Sequence, residues 1–518
     1  MITISSCKVR LWWRASIWHQ SWHYAAAFFV LYMVVIFPIW HSIVPVLSDY
    51  PNHLARMHIL NEAGHSVLLK QFYEIHWAVL PNLAMDIVVP IFAKWVGIFV
   101  AGKLFLSLIL LLIPSGTLAL YYVLNGRMSP WPFTSFLFLY NEIFVSGVVN
   151  YLFGLGLAIW MITGWIACRQ LSIRWRLPIF SVAATLLFFC HFSAFGIYAI
   201  AIVAYELQYE WEHRKRMLSW AYPLMALLTL LTPVLLLILF SPMGQGEGQG
   251  FSTQGLTTPV YISAMLFTKL LAPYVLVGTY NTWLDSAMVA LLGVVVIRGY
   301  FAKVVRINKS MSWMLIVLAI TFFLTPPVLF NSQLADSRLF IALAFIFIAS
   351  ADLKVAKPAT QALVFSLLVC LFIVRISIVV NVWSMQEKVT QAYLRAMNTL
   401  PKGSRLFPAF SEQETVDYIG SFKEYLPCLA IITSSAFVPS LYSLRGSQPV
   451  WLSSEFQTIK KRSGGPLFSS GVAPNWTQIM RDFDYILIGG VEHFPLLPQY
   501  NLILTVRGPD FLLYRIIK

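Results

Sequence analysis

Residues 44–60 read VPVLSDYPNHLARMHIL and place Asp49, Asn52, His53 and Arg56 close together where a long apolar run ends. An acid, an amide, an imidazole and a guanidinium at that spacing could carry proton-transfer chemistry. Pro51 suits the first turn of a helix and pushes Tyr50 toward an extended conformation. A short interfacial helix is therefore expected over 51–62, with Asp49 just ahead of it. Asn52 and Arg56 are four apart and His53 and Arg56 three apart, so they share a face. The positive helix end beside Asp49 favours an ionised carboxylate. Two readings stay open: a general base beside an imidazole, or an acid that caps the helix in a solvated loop.

Other polar residues stand out against apolar surroundings. Asn141, Glu142 and Asn150 interrupt the run 132–168, and polar residues at such depth are functional suspects. Gly147, Gly154 and Gly156 in the same stretch suit close helix packing. His191 in CHFSAF sits near a turn and fits either a site or a buried, hydrogen-bonded histidine. Lys269 is alone in the run 257–280. Asp336 and Arg338 in NSQLADSRLF open a later run. PNLAMD, with Asn82 and Asp86, closes the far edge of the first loop. No Walker loop, GxGxxG, zinc pattern or GxSxG elbow is present, which argues against nucleotide chemistry. The five cysteines form no CxxC pair.

These residues must be positioned by membrane helices. The 518-residue chain is 58% hydrophobic and 11% charged, where soluble domains carry about 25% charge. Its mean hydropathy is +0.72. Apolar runs near 24–46, 85–124, 132–168, 177–205, 217–240, 257–280, 284–302, 311–330, 339–352 and 359–383 are the material of spanning or re-entrant helices. The basic start MITISSCKVRLWWRASIWHQSWHY followed by Tyr24–Val46 predicts an uncleaved first span with a cytoplasmic N-terminus. The net charge of +14 would suggest nucleic acid in a soluble protein. Here it collects in loops at 169–176, 214–216 and 298–309, which marks the cytoplasmic side. Residues 47–84 then lie outside, 177–205 forms a hairpin, and the Gly/Gln-rich 241–256 is external. The number of crossings in 85–131 stays open.

From about 384 the composition changes. QEKVTQAYLRAMNTL is helix-like, and RLFPAF, LAIITSSAF, YILIGG and FLLYRII are short β-rich runs between turn residues. The expected architecture is an all-α polytopic membrane protein of about 10–13 transmembrane or re-entrant helices over 1–383. A small α/β domain over 384–518 follows, on the same side as Asp49.

An acid in the first external loop, in SDYPNHLAR, the interfacial stretch 51–80 and the domain after 384 together resemble the GT-C fold glycosyltransferases. That resemblance implies a GT-C-like membrane enzyme that uses a polyprenyl-phosphate-linked sugar donor. Many of that family carry two adjacent acids in this loop, whereas here Tyr50 follows Asp49. The departure leaves open whether a divalent metal takes part, and no metal ligands are assigned. A polyprenyl phosphate is already a good leaving group, so the reaction needs a base for the acceptor hydroxyl and cations on the phosphate. Asp49 and His53 are the candidate catalytic residues. Arg338 is the first candidate phosphate cation, because its planar fork fits phosphate oxygens. Its other reading is an Asp336-paired or snorkelling arginine. Asn52, Arg56, Asn141, Glu142, His191, Lys269, Asp336 and Arg338 are the candidate substrate-binding residues.

The expected function is transfer of a sugar to a cell-envelope glycan, lipid or protein, on the periplasmic or external face of a bacterial cytoplasmic membrane. The partners would be the lipid-linked donor, that acceptor and the bilayer, and not nucleic acid. The competing readings are a transporter or flippase, or a polymerase, for lipid-linked saccharides, and a non-catalytic envelope scaffold.

Overall fold

The structure is a computed structural model that describes residues 15–213, 220–242, 267, 269–329, 332–353, 358–443, 446–464, 467–468, 474–490 and 501–518. The basic triplet Arg214–Arg216 and most of the Gly/Gln-rich segment lie outside the described residues.

Apolar runs become helices because a chain in hydrocarbon must satisfy its backbone internally. Among the described residues, eight helices are long and apolar enough to cross a membrane. The first is α1 (Ala15–His41). The loop after it folds into α2 (Tyr50–Glu62), α3 (Val67–Phe72) and the short strand β1 (Tyr73–Ile75). Tyr50 is itself helical, so α2 starts one residue earlier than the Pro51 argument placed it, with Pro51 inside its first turn.

The open stretch 85–131 resolves into α4 (Ala84–Val96), a break at Gly97 with φ +76°, and one 28-residue helix, α5 (Ile98–Asn125). Only α5 has spanning length there. The run 132–168 is not one helix. A buried 3-10 helix (Trp131–Phe138) leads to the single turn α6 (Glu142–Val145), then to α7 (Val149–Ala167). The run 177–205 is the expected hairpin, made of α8 (Ile173–Cys190) and α9 (Phe192–Glu212) with His191 between them. Next come α10 (Ala221–Phe240), α11 (Ala272–Val277), α12 (Thr282–Phe301), α13 (Ser312–Leu324) and α14 (Ala335–Ser350).

The described basic loops gather at one end, where Arg169 pairs with Glu206 and Gln208 donates to the Lys309 carbonyl. Strand β2 (Val305–Ile307) pairs antiparallel with β3 (Ala351–Leu353). Asp352 accepts from the Tyr121 hydroxyl at 2.8 Å and from Arg127 at 2.5 Å. At the Lys309 turn, Gln208 accepts from the Trp313 amide at 2.8 Å. His191, between α8 and α9, and Asp336, at the start of α14, are at the ends of their helices away from these loops.

The 41-residue α15 (Pro358–Asn398) runs from the apolar bundle into the C-terminal region without a break, so the 383/384 boundary falls within one helix. Beyond it stand β4 (Leu406–Ser411), α16 (Tyr418–Tyr425), α17 (Leu429–Ser434), β5 (Val450–Leu452), α18 (Ser454–Ser463), β6 (Leu467–Phe468), α19 (Trp476–Asp482), β7 (Tyr485–Gly489), β8 (Leu502–Arg507) and β9 (Phe511–Ile516). The sheet order is β6-β4-β7-β9-β8, parallel at β6-β4-β7 and antiparallel beyond. LAIITSSAF is a correction: its first six residues form helix α17, not a strand. Leu429, Ala430 and Ile431 are all buried, and tertiary packing overrides the β-preference of isoleucine.

Candidate functional site

Backbone pairing and side-chain contacts hold the C-terminal region over the first loop. Strand β1 pairs antiparallel with β5, with Tyr73 opposite Leu452 and Ile75 opposite Val450. Asn52 reaches the same region, donating to the Ser440 carbonyl and accepting from the Tyr442 amide, both at 3.4 Å.

Asp49 occupies the N-cap position of α2, yet its side chain makes no capping hydrogen bond. Its backbone is held instead. The Ser48 amide donates to Val145 O at 2.9 Å. Gly147, at φ +85°, lies so close that a Cβ there would come 2.9 Å from the Asp49 nitrogen. Gly154 and Gly156 serve helix packing as expected, against Ala194 and Leu112, but Gly147 packs on the Asp49 loop. Burial pushes the Asp49 carboxyl up to about 6, with nearby Arg56 opposing the rise. The helix end therefore does not dominate its ionisation: desolvation of the charged form does.

His53 is half-buried, and its buried Nδ1 has no hydrogen-bond partner. Burial pushes the ring down to about 3, with the Arg56 charge adding and the Gly147 backbone opposing. It stays a neutral imidazole at any ordinary pH. Arg56 turns away from Asp49's carboxylate chemistry. Its Nε and Nη2 meet Asp86 Oδ1 and Oδ2 at 2.9 and 3.1 Å, and Nη1 meets Gln448 Oε1 at 2.6 Å. Gln448 also donates to the Tyr442 carbonyl. Such a forked, buried pair cross-links α2, α4 and the C-terminal region.

Asn141 is a helix cap. Its Oδ1 accepts from the Phe144 amide at 3.0 Å and its Nδ2 donates to Phe138 O at 2.8 Å. Glu142 beside it is in the site: burial raises its pKa, a hydrogen bond from Tyr418 opposes this, and the Asp336 charge adds to the rise. Asn150 ties Asn82 and Met85 to α7, accepting from the Met85 amide at 2.7 Å.

Lys269 and Asp336 pair with one another at 2.7 Å, and Lys269 also donates to Thr325 O at 2.6 Å. Asp336 is thus the partner of Lys269, not of Arg338. Arg338 donates to Ser193 Oγ at 3.4 Å, and its buried Nε has no partner. Its guanidinium carbon lies 5.8 Å from the Tyr151 ring centre. His191 caps α9 by accepting from the Ser193 amide at 3.1 Å, and meets Tyr151 edge-on at 5.5 Å. One group thus holds Arg338, His191, Ser193 and Tyr151. A second runs from Asp49 through Ser48, Tyr418 and Glu142 toward Asp336.

The C-terminal region contributes residues that its sequence does not mark out. The Ser48 hydroxyl donates to Tyr418 O at 3.3 Å. Glu424 is buried, and its carboxyl is pushed up to about 7 by burial, with the Asp49 charge adding. Tyr425 and Tyr442 also feel the Asp49 charge. Nothing local in DYIGSFKEYLPC marks these as site residues. Arg375 was legible: it is a lone charge in LLVCLFIVRISIVV. It donates to Tyr140 O at 2.7 Å and Val277 O at 2.9 Å and pairs with Asp285 at 3.5 Å, bracing the turn that presents Glu142. Among the described residues, no three His, Cys, Asp or Glu side chains gather as metal ligands would.

No family model matches the chain, and no curated protein matches it. A solved structure does: the crystal structure of ArnT from Cupriavidus metallidurans bound to undecaprenyl phosphate. The TM-score is 0.50 at 10% identity, over 95% of this chain and 98% of that one. The overlap takes in nearly the whole chain, and the chain has the GT-C fold.

Proposed function

We propose that this polytopic protein is a membrane glycosyltransferase. It moves a sugar from a polyprenyl-phosphate donor to a cell-envelope glycan, lipid or protein, with Asp49 as general base. The reading places the N-terminus in the cytoplasm, the protein in a bacterial cytoplasmic membrane, and the C-terminal region on the periplasmic or external side. One observation carries it most: in a GT-C fold, a half-buried acid stands at a helix start, forms no side-chain cap, and has its backbone held by Gly147 and the Ser48–Val145 contact.

Asp49 takes the acceptor hydroxyl proton as the acceptor oxygen bonds to the anomeric carbon. The bond from that carbon to the phosphate oxygen breaks, and the phosphate leaves with the electron pair. A base raised toward neutrality is well matched to this step. Arg338, with a buried Nε unpartnered, is suited to the donor phosphate. His53 contributes shape and a neutral ring, not charge.

Deleting the gene and comparing envelope glycans by mass spectrometry tests the function. The expected result is loss of one sugar substituent with accumulation of its polyprenyl-phosphate donor. Unaltered glycans and donor pools would contradict it. A reporter fused after Thr390 tests the orientation; activity only in the cytoplasm would overturn it.

A further inference from the structure

The loop that ends in Asp49 is also gripped from the segment between α11 and α12. Tyr280 in that segment donates its hydroxyl proton to the Val46 carbonyl at 2.5 Å. Val46 is buried, three residues before Asp49, and a buried carbonyl needs a donor. The same hydroxyl accepts from the indole nitrogen of Trp383 at 2.9 Å. Trp383 is wholly buried on α15 and meets Tyr140 edge-on at 5.9 Å. The Tyr280 ring in turn meets the Tyr418 ring edge-on at 6.5 Å. With one partner to give to and one to accept from, the Tyr280 hydroxyl has a fixed direction.

The segment that carries Tyr280 is braced along its length. Arg375 donates from Nη1 to Val277 O at 2.9 Å and from Nη2 to Tyr140 O at 2.7 Å, so one guanidinium joins this segment to the turn before Glu142. Gly278 lies against that acid: a Cβ added there would come 3.6 Å from the Glu142 Cβ. The Thr279 amide and hydroxyl donate to Asp285 at 2.8 and 3.1 Å. Asn281 accepts from the Leu284 amide at 3.0 Å at the start of α12. Residues 277–281 are therefore a common reference for two places. One is the Asp49 loop, through Tyr280; the other is the Glu142 turn, through Gly278 and Arg375.

We propose that Tyr280 is a positioning residue that acts through Asp49, latching the backbone of its loop to the segment that also backs Glu142. This rests on the glycosyltransferase reading above. Other contacts hold the loop as well: the Ser48 amide on Val145 O, the Ser48 hydroxyl on Tyr418 O, and Gly147. Without the Tyr280 hydroxyl the loop keeps those contacts and loses its tie to α11 and α12. Proton transfer is more sensitive to that slack than folding is. The carboxylate must lie within hydrogen-bond reach of the acceptor hydroxyl, and a misplacement of about 1 Å costs on the order of 10²-fold. Donor binding does not depend on the latch, because Arg338 is placed elsewhere, beside Ser193 and Tyr151.

Tyr280→Phe keeps the ring and removes the hydroxyl. In the full-length variant, hydrogen exchange over residues 44–50 should speed up while exchange in α7 matches wild type. The Kd for undecaprenyl phosphate, the probe of donor binding, should also match wild type. Turnover of the lipid-linked sugar that accumulates in the deletion strain should fall about tenfold in kcat with KM unchanged. Trp383→Phe, which leaves the hydroxyl and removes the donor that orients it, should give the same pattern at smaller size. Because the latch acts through the base, Tyr280→Phe should cost little further in an Asp49→Asn background. Wild-type turnover in Tyr280→Phe, unchanged exchange over 44–50, or a full further loss on top of Asp49→Asn each overturn the proposal and leave the glycosyltransferase reading standing. No turnover by wild type overturns both.

Discussion

Gly147 touches the backbone of Asp49: a Cβ added to it would sit 2.9 Å from the Asp49 nitrogen and 3.1 Å from its Cβ. The glycine also holds φ +85°, where side-chain-bearing residues are strained. Gly147→Ala should therefore push the acid out of place while the helices stay packed. The expected outcome is at least a tenfold loss of sugar transfer with near-normal expression and membrane insertion, since a misplacement of about 1 Å costs on the order of 10²-fold. Wild-type turnover in Gly147→Ala would show that Asp49 need not be held where it is.

Ionisation of Asp49 sets a stability cost with a definite sign. Its folded value is raised from 3.8 to about 6, so the folded state binds the proton more tightly than the unfolded state. Stability from this group is full below about pH 4 and is lost as pH rises through about 6. The cost at pH 7.5 is on the order of 3 kcal/mol. Asp49→Asn should melt at higher temperature than wild type at pH 7.5, and not at pH 4. Equal melting at both would mean the acid is solvated.

Sugar transfer should decline as pH falls through about 6, as Asp49 takes up its proton. His53→Gln should leave the midpoint of that decline in place, because a ring pushed down to about 3 does not change charge there. A midpoint that moves in His53→Gln would make the imidazole part of the base.

Arg338 and Arg56 should separate in binding assays. Arg338→Ala should weaken donor binding by roughly 1.5–3 kcal/mol, with Arg338→Lys restoring only part because the fork is lost. Arg56→Ala should instead destabilise the fold by about 3–5 kcal/mol, since it strands the buried Asp86 carboxylate. Thermal melts with donor titrations check both. Unchanged affinity in Arg338→Ala moves the phosphate site elsewhere.

Much of this arrangement was legible in the chain because period and charge are local. The interfacial helix after Asp49, the hairpin around His191 and the strands RLFPAF, YILIGG and FLLYRII follow from apolar pattern and turn residues. What could not be read is pairing across distance. Whether Arg56 meets Asp49 or Asp86, and Asp336 meets Arg338 or Lys269, depends on which helix ends adjoin. Tyr50 stands where many GT-C enzymes carry a second acid, while Glu424 of the C-terminal region feels the Asp49 charge. Arg375 carried a visible signal, a charge alone in a span.

The central claim is that Asp49 is the base. Its most direct test is turnover of a polyprenyl-phosphate-linked sugar by purified Asp49→Asn, which keeps size and removes basicity. A positioned base contributes about 10²–10⁴-fold in rate. The variant should insert, fold and bind donor, yet lose at least two decades of turnover. Asp49→Glu should recover little, because the longer arm misplaces the carboxylate. Near wild-type turnover in Asp49→Asn would contradict the account and leave Asp49 as an ordinary residue at the start of a helix.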